Sequence, residues 1–138
     1  MRLQLALNVK DLDTAIAYYS ELFGTSVHKR KPGYANFSIE DPPLKLVLFE
    51  APDADQPLNH LGVEVSEQSE VDRAAARLSQ ARLNDSEQQD ENCCFATQNK
   101  VWSTDPNGTR WEWYRVLEDT TSFGDDTDTP GPSQPTVR

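Results

Sequence analysis

The chain has 138 residues, with 13 Lys and Arg against 23 Asp and Glu, and its formal net charge is −10. This length allows one domain or two small modules that share a core, and the acidity argues against binding a nucleic-acid backbone. No apolar run approaches the roughly 20 residues that span a bilayer, and the start has no apolar stretch typical of a signal peptide. The two cysteines are adjacent and cannot build a disulfide framework. We therefore expect a cytoplasmic protein that binds neither nucleic acid nor membrane.

The first fifty residues predict a β-α-β-β-β unit. Residues 3–9 alternate with period two, which indicates a strand with one fully apolar face. A helix is predicted over 12–23, with Asp11 as its N-cap and Gly24 at its end. Three more strands are expected at 26–31, 34–39 and 44–49. Residues 51–57 have the composition of a linker.

A second unit of the same kind begins near residue 58. The segment 60–65 again alternates, and 70–83 again has helical periodicity. A constant offset of 56 residues superposes the two units and places Gln4 on His60, as expected of a duplicated structural unit. Strands are then predicted at 93–97, 100–104 and 109–116, with a hairpin turn at 105–108 before the last.

These patterns predict an α+β fold with modules at 1–50 and 58–116. Two unrelated βα units in chance register would give a similar pattern, so the duplication stays open at this point. Residues 117–138 contain five acids and three prolines but a single aromatic residue. They cannot bury enough apolar surface to offset their ordering entropy. We expect this segment to be a disordered acidic tail.

Three polar residues are placed where they could bind a metal ion. His60 lies on the polar face of its strand, and since the apolar face must pack on the helices, His60 points to the concave side of the sheet. Gln4 has the equivalent place in the first unit, and Glu112 is a mid-strand acid that needs a partner. Together they would form a mixed nitrogen and oxygen set that suits Fe(II), Mn(II), Ni(II) or Zn(II). A hydrogen-bonded structural histidine and a solvated glutamate would fit the same pattern.

Cys93 and Cys94 are vicinal thiols that follow the polar run 85–91. Thiolates select soft metals and metalloids, so the pair could hold such an atom between them. A disulfide between neighbours would be strained. The alternative is that one or both cysteines are small buried hydrophobes. His28 and Lys100 are interpreted as solvated surface residues.

Three segments together resemble a known superfamily. They are QLALNVKDLDTAIAYYSELFG, NHLGVEV and STDPNGTRWEWYRV, within residues 1–116. They resemble the vicinal-oxygen-chelate superfamily of glyoxalases, bleomycin-resistance proteins and extradiol dioxygenases. Within it, the segment CCFATQNKVW is similar to the organoarsenical carbon–arsenic lyase branch, which includes cadmium-induced proteins.

The resemblance implies two paired β-α-β-β-β modules that form a curled mixed sheet around a metal cavity. It places metal ligands at Gln4, His60 and Glu112, of which His60 and Glu112 are also catalytic, although many members have His where this chain has Gln4. It implies a non-haem Fe(II) enzyme that uses dioxygen to cleave trivalent organoarsenicals such as methylarsenite to arsenite. Cys93 and Cys94 would bind the arsenic. The cavity would close within one chain or across a homodimer.

Two other functions stay open beside the lyase. The first is sequestration of cadmium or arsenite without catalysis, which would need the cysteines but not Glu112. The second is a glyoxalase-like isomerase or thiol transferase, whose activity would be indifferent to the cysteines. Variants of Glu112 and of the cysteine pair therefore separate the three.

Overall fold

The computed structural model describes residues 1–85 and 99–116. These residues form one mixed sheet with two helices on the same face. The strands are β1 (Arg2–Val9), β2 (Lys29–Lys31), β3 (Tyr34–Ile39), β4 (Leu44–Glu50), β5 (Leu58–Val65), β6 (Lys100–Thr104) and β7 (Arg110–Arg115). The helices are α1 (Leu12–Phe23) and α2 (Gln68–Gln80). The predicted α+β class is confirmed.

The strand order in the described part of the sheet is β2-β3-β4-β1-β5-β7-β6, and these strands do not close into a barrel. The two central strands, β1 and β5, are antiparallel partners. Each has its own parallel neighbour, β4 for β1 and β7 for β5. The two halves are therefore related by an approximate two-fold axis. This agrees with the duplicated unit that the 56-residue offset predicts. The exact module boundaries and the linker stay predictions.

Most apolar residues of the strands face the helices, and most polar residues face the opposite, concave side. Under α1 the core contains Ala35, Phe37, Leu46 and Leu48, which pack with Leu12, Ile16, Leu5 and Leu7. Under α2 the core contains Ala74, Ala75 and Val101, which pack with Leu78 and Trp113. The helices cover this face because period-two alternation puts most apolar strand residues on it. The concave face has most of the polar side chains, together with a few apolar ones such as Val47 and Phe49.

Helix α1 begins and ends where the sequence predicts. The Asp11 carboxylate accepts a hydrogen bond of 2.9 Å from the Thr14 amide, and Gly24 takes the left-handed conformation (φ 63°) that ends the helix. Helix α2 differs from the predicted 70–83 because the chain turns at Arg82, whose φ is 61°. The Leu83 amide then donates to the Leu78 carbonyl, which satisfies the last turn without glycine.

Two strand predictions need correction or completion. Of the predicted strand 26–31, three residues pair as β2, at the edge of the described sheet. The hairpin turn at 105–108 is confirmed, with the Asp105 carboxylate accepting from the amides of Asn107 and Thr109. The strand candidate 93–97 and the tail 117–138 lie outside the described residues.

Within the part of the chain that the structure describes, no helix is long and apolar enough to cross a membrane.

Candidate metal centre

The centre is built on one row of residues across three neighbouring strands. Gln4 on β1 is the register partner of Gly62 on β5, which is in turn the partner of Glu112 on β7. A Cβ atom on Gly62 would lie 2.7 Å from Gln4 Oε1 and 3.0 Å from Glu112 Cγ. Glycine in a strand interior marks a close approach of this kind. The absence of a side chain at Gly62 leaves the space in which the side chains of Gln4 and Glu112 meet above β5.

The two flanking side chains reach His60, which lies two residues before Gly62 on the same face. His60 Nε2 is 3.1 Å from Gln4 Oε1 and 2.9 Å from Glu112 Oε2. All three residues are buried, with His60 5% exposed and Glu112 4% exposed. The structure thus brings together the three residues that the sequence singled out. Their role as metal ligands is a prediction.

Glu112 is ionised despite its burial. Burial raises the pKa of its carboxyl group, but Lys100 and His60 outweigh that effect and lower the pKa to about 2. The Lys100 Nζ atom lies 3.2 Å from Glu112 Oε1, with the lysine side chain 41% exposed. Lys100 is therefore more than the solvated strand residue that the sequence indicated. It supplies the charge that balances the buried carboxylate.

The chemistry of these side chains fits a divalent metal. Gln4 Oε1 and Glu112 Oε2 offer lone pairs and no proton, and both converge on one ring nitrogen of His60. A cation at this point would satisfy all three donors, and a set of imidazole, carboxylate and neutral oxygen suits first-row divalent ions. In residues 1–85 and 99–116 no three His, Cys, Asp or Glu side chains cluster closely enough to hold a metal. The candidate set therefore depends on the amide oxygen of Gln4.

Aromatic rings border the candidate centre on both sides. The Trp102 ring meets the His60 ring edge-on with centroids 5.1 Å apart, and the Phe49 ring lies 6.4 Å away on the other side. The Arg110 guanidinium covers the Trp102 ring at 4.1 Å. These rings limit the access of water to His60, which strengthens electrostatic interactions there.

A second polar cluster occupies the other end of the concave face. Glu64 on β5 pairs with Arg2 on β1 and, at 3.3 Å, with Lys45 on β4. The Tyr114 hydroxyl on β7 donates to the same carboxylate at 3.0 Å. A cavity of about 590 Å³ is lined in part by Arg2, Lys45 and Glu64. Four strands are therefore connected through Glu64.

Sequence reasoning missed three residues of the centre. Gly62 had a usable signal, because a glycine in an alternating strand indicates a close approach. Asn59, which contacts the His60 ring at 2.8 Å, had none beyond being its neighbour. Lys100 could not be paired with Glu112 before the register of β6 on β7 was known. Cys93 and Cys94 lie outside the described residues.

Residues 3–113 match the Glyoxalase/Bleomycin resistance protein/Dioxygenase superfamily. The chain belongs to this superfamily, and the resemblance noted in the sequence is confirmed.

Two relatives place the chain within the superfamily. It is 57% identical over 123 residues to the cadmium-induced protein CadI of Mycobacterium tuberculosis, covering 89% of this chain and 81% of that protein. It is 52% identical over 119 residues to a trivalent organoarsenical cleaving enzyme of Thermomonospora curvata, covering 86% and 79% respectively. A solved catechol 2,3-dioxygenase shares the fold with a TM-score of 0.52 and 21% identity, over 83% of this chain and 42% of that one. At that identity the match shows the fold alone.

Proposed function

We propose that this chain is a carbon–arsenic lyase that uses dioxygen to cleave trivalent organoarsenicals such as methylarsenite to arsenite. The observation that carries the proposal is the buried convergence of Gln4, His60 and Glu112. It is supported by the 52% identity to a relative named for organoarsenical cleavage. We propose Fe(II) as the ion, although Mn(II), Ni(II) and Zn(II) suit the same donors.

Each group of residues has a separate task in this proposal. Gln4, His60 and Glu112 would hold the metal and, as only three ligands, leave open positions for dioxygen. Fe(II), when bound, supplies the redox chemistry that activates dioxygen. Cys93 and Cys94 would hold the arsenic, because thiolates favour soft metalloids. Two thiolates leave the carbon substituent of trivalent arsenic free to face the metal, so that both reactants are held in one cavity.

The described side chains prepare this cavity for a metal ion. Lys100 keeps the carboxylate of Glu112 ionised, so the ligand needs no deprotonation when a metal binds. The Trp102 and Phe49 rings flank His60 and exclude water from the side of the imidazole. The overall reaction balances without another reductant. Methylarsenite and dioxygen in equal amounts contain the atoms of arsenite and formaldehyde, with the methyl carbon oxidised and arsenic kept trivalent.

The test is turnover of methylarsenite by Fe(II)-reconstituted protein in air. Arsenite, measured by chromatography with elemental detection, should appear together with an equal amount of formaldehyde. Glu112→Ala should abolish product while arsenical binding persists, whereas Cys93→Ser and Cys94→Ser should lose binding. His28→Gln removes an exposed histidine and should behave like the parent. Absence of arsenite, or unchanged turnover in the cysteine variants, would overturn the proposal.

A second candidate is sequestration of soft ions without chemistry, which the 57% identity to a protein named as cadmium-induced favours. It predicts stoichiometric binding of Cd(II) that needs Cys93 and Cys94 and survives Glu112→Ala, with no product from methylarsenite. Titration calorimetry of those variants with Cd(II) tests the binding, and the absence of arsenite from methylarsenite separates this function from the lyase. Either function needs reduced thiols, so we expect the protein to act in the cytoplasm.

A further inference from the structure

We propose that the cavity at the Glu64 end of the concave face binds a small organic dianion that carries a hydroxyl group. The cavity has a volume of about 590 Å³, and none of the candidate metal ligands lines it. Pockets for small molecules usually have volumes of about 300–1,000 Å³. The inference goes beyond the proposed function and does not depend on it, because it concerns a different part of the sheet.

The charged side chains that line the cavity do not balance. Among the lining Lys, Arg, Asp and Glu residues, Arg2, Lys29 and Lys45 supply three positive charges and Glu64 supplies one negative charge. Two positive charges therefore remain, in a chain whose formal net charge is −10. A cleft lined by an excess of one sign concentrates ligands of the opposite sign. The charge of the cavity thus favours a dianion.

Lys45 is the cation that most needs a further anion. Its side chain is 16% exposed, and its Nζ atom has one acceptor among the described residues, Glu64 Oε2 at 3.3 Å. An ammonium group has three N–H donors, so two of them lack a protein acceptor there. Glu64 is shared, because it also accepts from the Arg2 guanidinium and from the Tyr114 hydroxyl. Burial lowers the pKa of Lys45 even though Glu64 opposes that shift, and the charges of Arg2 and Lys29 lower it further.

A hydroxyl donor lies beside Lys45. Ser38 on β3 is the register partner of Lys45 on β4, and both line the cavity. The Ser38 hydroxyl accepts a hydrogen bond of 3.0 Å from Arg2 Nη1, so its own proton can be donated to a ligand. Lys29 on the neighbouring β2 adds an exposed ammonium group. Hydrogen bonds from charged donors to an anion are the stronger kind, so these groups suit carboxylate or phosphate oxygens.

Asn36 adds the requirement for a hydroxyl group. It lines the cavity, is 4% exposed, and donates through Nδ2 to the Tyr34 hydroxyl oxygen at 2.8 Å. Its Oδ1 atom is buried and has no hydrogen-bond partner among the described residues. A buried acceptor without a donor is costly, and a ligand hydroxyl would satisfy it. Because a hydroxyl both donates and accepts, it suits either orientation of the Asn36 amide.

The test compares two pairs of dianions by titration calorimetry with the full metal-free chain at constant ionic strength. Malate is compared with succinate, and glycerol 3-phosphate with propyl phosphate, because the members of each pair differ only in hydroxyl groups. In at least one pair the hydroxylated member should bind about 3- to 10-fold more tightly than the other, as expected for one neutral hydrogen bond. The pair that binds shows whether the anionic group is a carboxylate or a phosphate. If neither malate nor glycerol 3-phosphate binds, the inference is overturned.

Variants locate the binding in this cavity. Lys45→Met should weaken binding roughly 10-fold or more, as expected for the loss of a charged hydrogen bond. Lys29→Met alters an exposed residue and should weaken binding severalfold, which keeps the test decisive if Lys45→Met fails to fold. Asn36→Leu should make the two members of the binding pair equal in affinity.

Lys10→Met is the matched control, because it removes one exposed lysine that does not line the cavity. It should bind like the parent chain. Equal losses in Lys10→Met and Lys45→Met would show that net charge alone governs binding, and would overturn the inference. None of these measurements uses turnover of methylarsenite, so failure of the proposed function would leave the inference standing.

Discussion

Glu112 and Lys100 form an ion pair whose two members differ in burial. The carboxylate is 4% exposed, while the lysine side chain reaches partly into solvent. The pKa of Glu112 is lowered from its ordinary 4.5 to about 2, because the nearby positive charges outweigh the cost of burial. A carboxyl group whose folded pKa is depressed contributes stability above its unfolded pKa and loses it as the pH falls through the folded value. This contribution should therefore be complete above about pH 4.5 and lost near pH 2.

Lys100→Met should raise the pKa of Glu112, because burial would then be opposed mainly by His60. The measurement is a pH titration of the Glu112 side-chain carboxyl by ¹³C NMR in metal-free protein. Lys29→Met removes an exposed lysine from β2 and should leave the Glu112 titration in place. An unshifted titration in Lys100→Met would show that Lys100 does not balance the buried charge.

Much of the candidate centre can be predicted at the level of residues, but its contacts cannot. Strand alternation puts Gln4, His60 and Glu112 on one face, and the 56-residue offset makes the first two equivalent. That they meet depends on the register of β1, β5 and β7, which pairs residues distant in sequence. The partner of Glu112 is also distant, since Lys100 is placed by the hairpin of β6 and β7. Periodicity carries no information on such register.

The two helices begin by different means, although they occupy equivalent places in the two halves. At α1 the Asp11 carboxylate accepts from both the amide and the hydroxyl of Thr14. At α2 the N-cap is Glu67, whose side chain makes no capping hydrogen bond. Asp is among the residues preferred at the N-cap position, and Glu is not. The start of helix α1 therefore depends more on one residue, Asp11, than the start of helix α2 depends on Glu67.

Asp11→Ala should lower the urea midpoint of unfolding, whereas Glu67→Ala should leave it nearly unchanged. The Thr14 hydrogen bonds lower the pKa of Asp11, so the contribution of this cap is present above the ordinary pKa and disappears as the pH falls through the lowered value. The two midpoints should consequently converge in acid. Equal losses in the two variants at neutral pH would contradict this account of the caps.

Helix boundaries illustrate how far local signals extend. The Asp11 cap and the Gly24 stop are local, and both are predicted correctly. The end of α2 is set by the left-handed turn at Arg82, where no glycine announces it. The short β2 depends on how far β3 offers an edge for pairing, which is a property of the assembled sheet. Local chemistry thus predicts the helices and strands well. It predicts their ends less well where the assembled sheet determines them.

Across the whole molecule, Glu64 connects the two halves of the sheet. Its carboxylate on β5 pairs with Arg2 and Lys45, which belong to the first half, and all three side chains are largely buried. Burial raises the pKa of Glu64, but Lys45 and Arg2 outweigh it and the net shift is downward. The carboxylate therefore compensates two cations that would otherwise lie in a medium of low dielectric constant.

Glu64→Gln should destabilise the protein by roughly 3 kcal/mol, since breaking a buried ion pair leaves uncompensated charge. The measurement is the free energy of unfolding from urea titration. Asp13→Asn breaks the exposed pair with Arg30 on the surface and should change that free energy little. A similar small change in Glu64→Gln would mean that solvent, rather than Glu64, compensates Arg2 and Lys45.

The approximate two-fold axis relates positions of the concave face whose residues differ in polarity. Gln4 and His60 are equivalent under it, and the parallel neighbours β4 and β7 then place Val47 where the other half has Glu112. One flank of the centre is therefore a buried apolar side chain and the other an ionised carboxylate. A nearly symmetric scaffold thus carries a polar asymmetry, to which the pair Val47 and Glu112 contributes. A small molecule in the proposed centre would meet two unlike walls, which would distinguish its two ends.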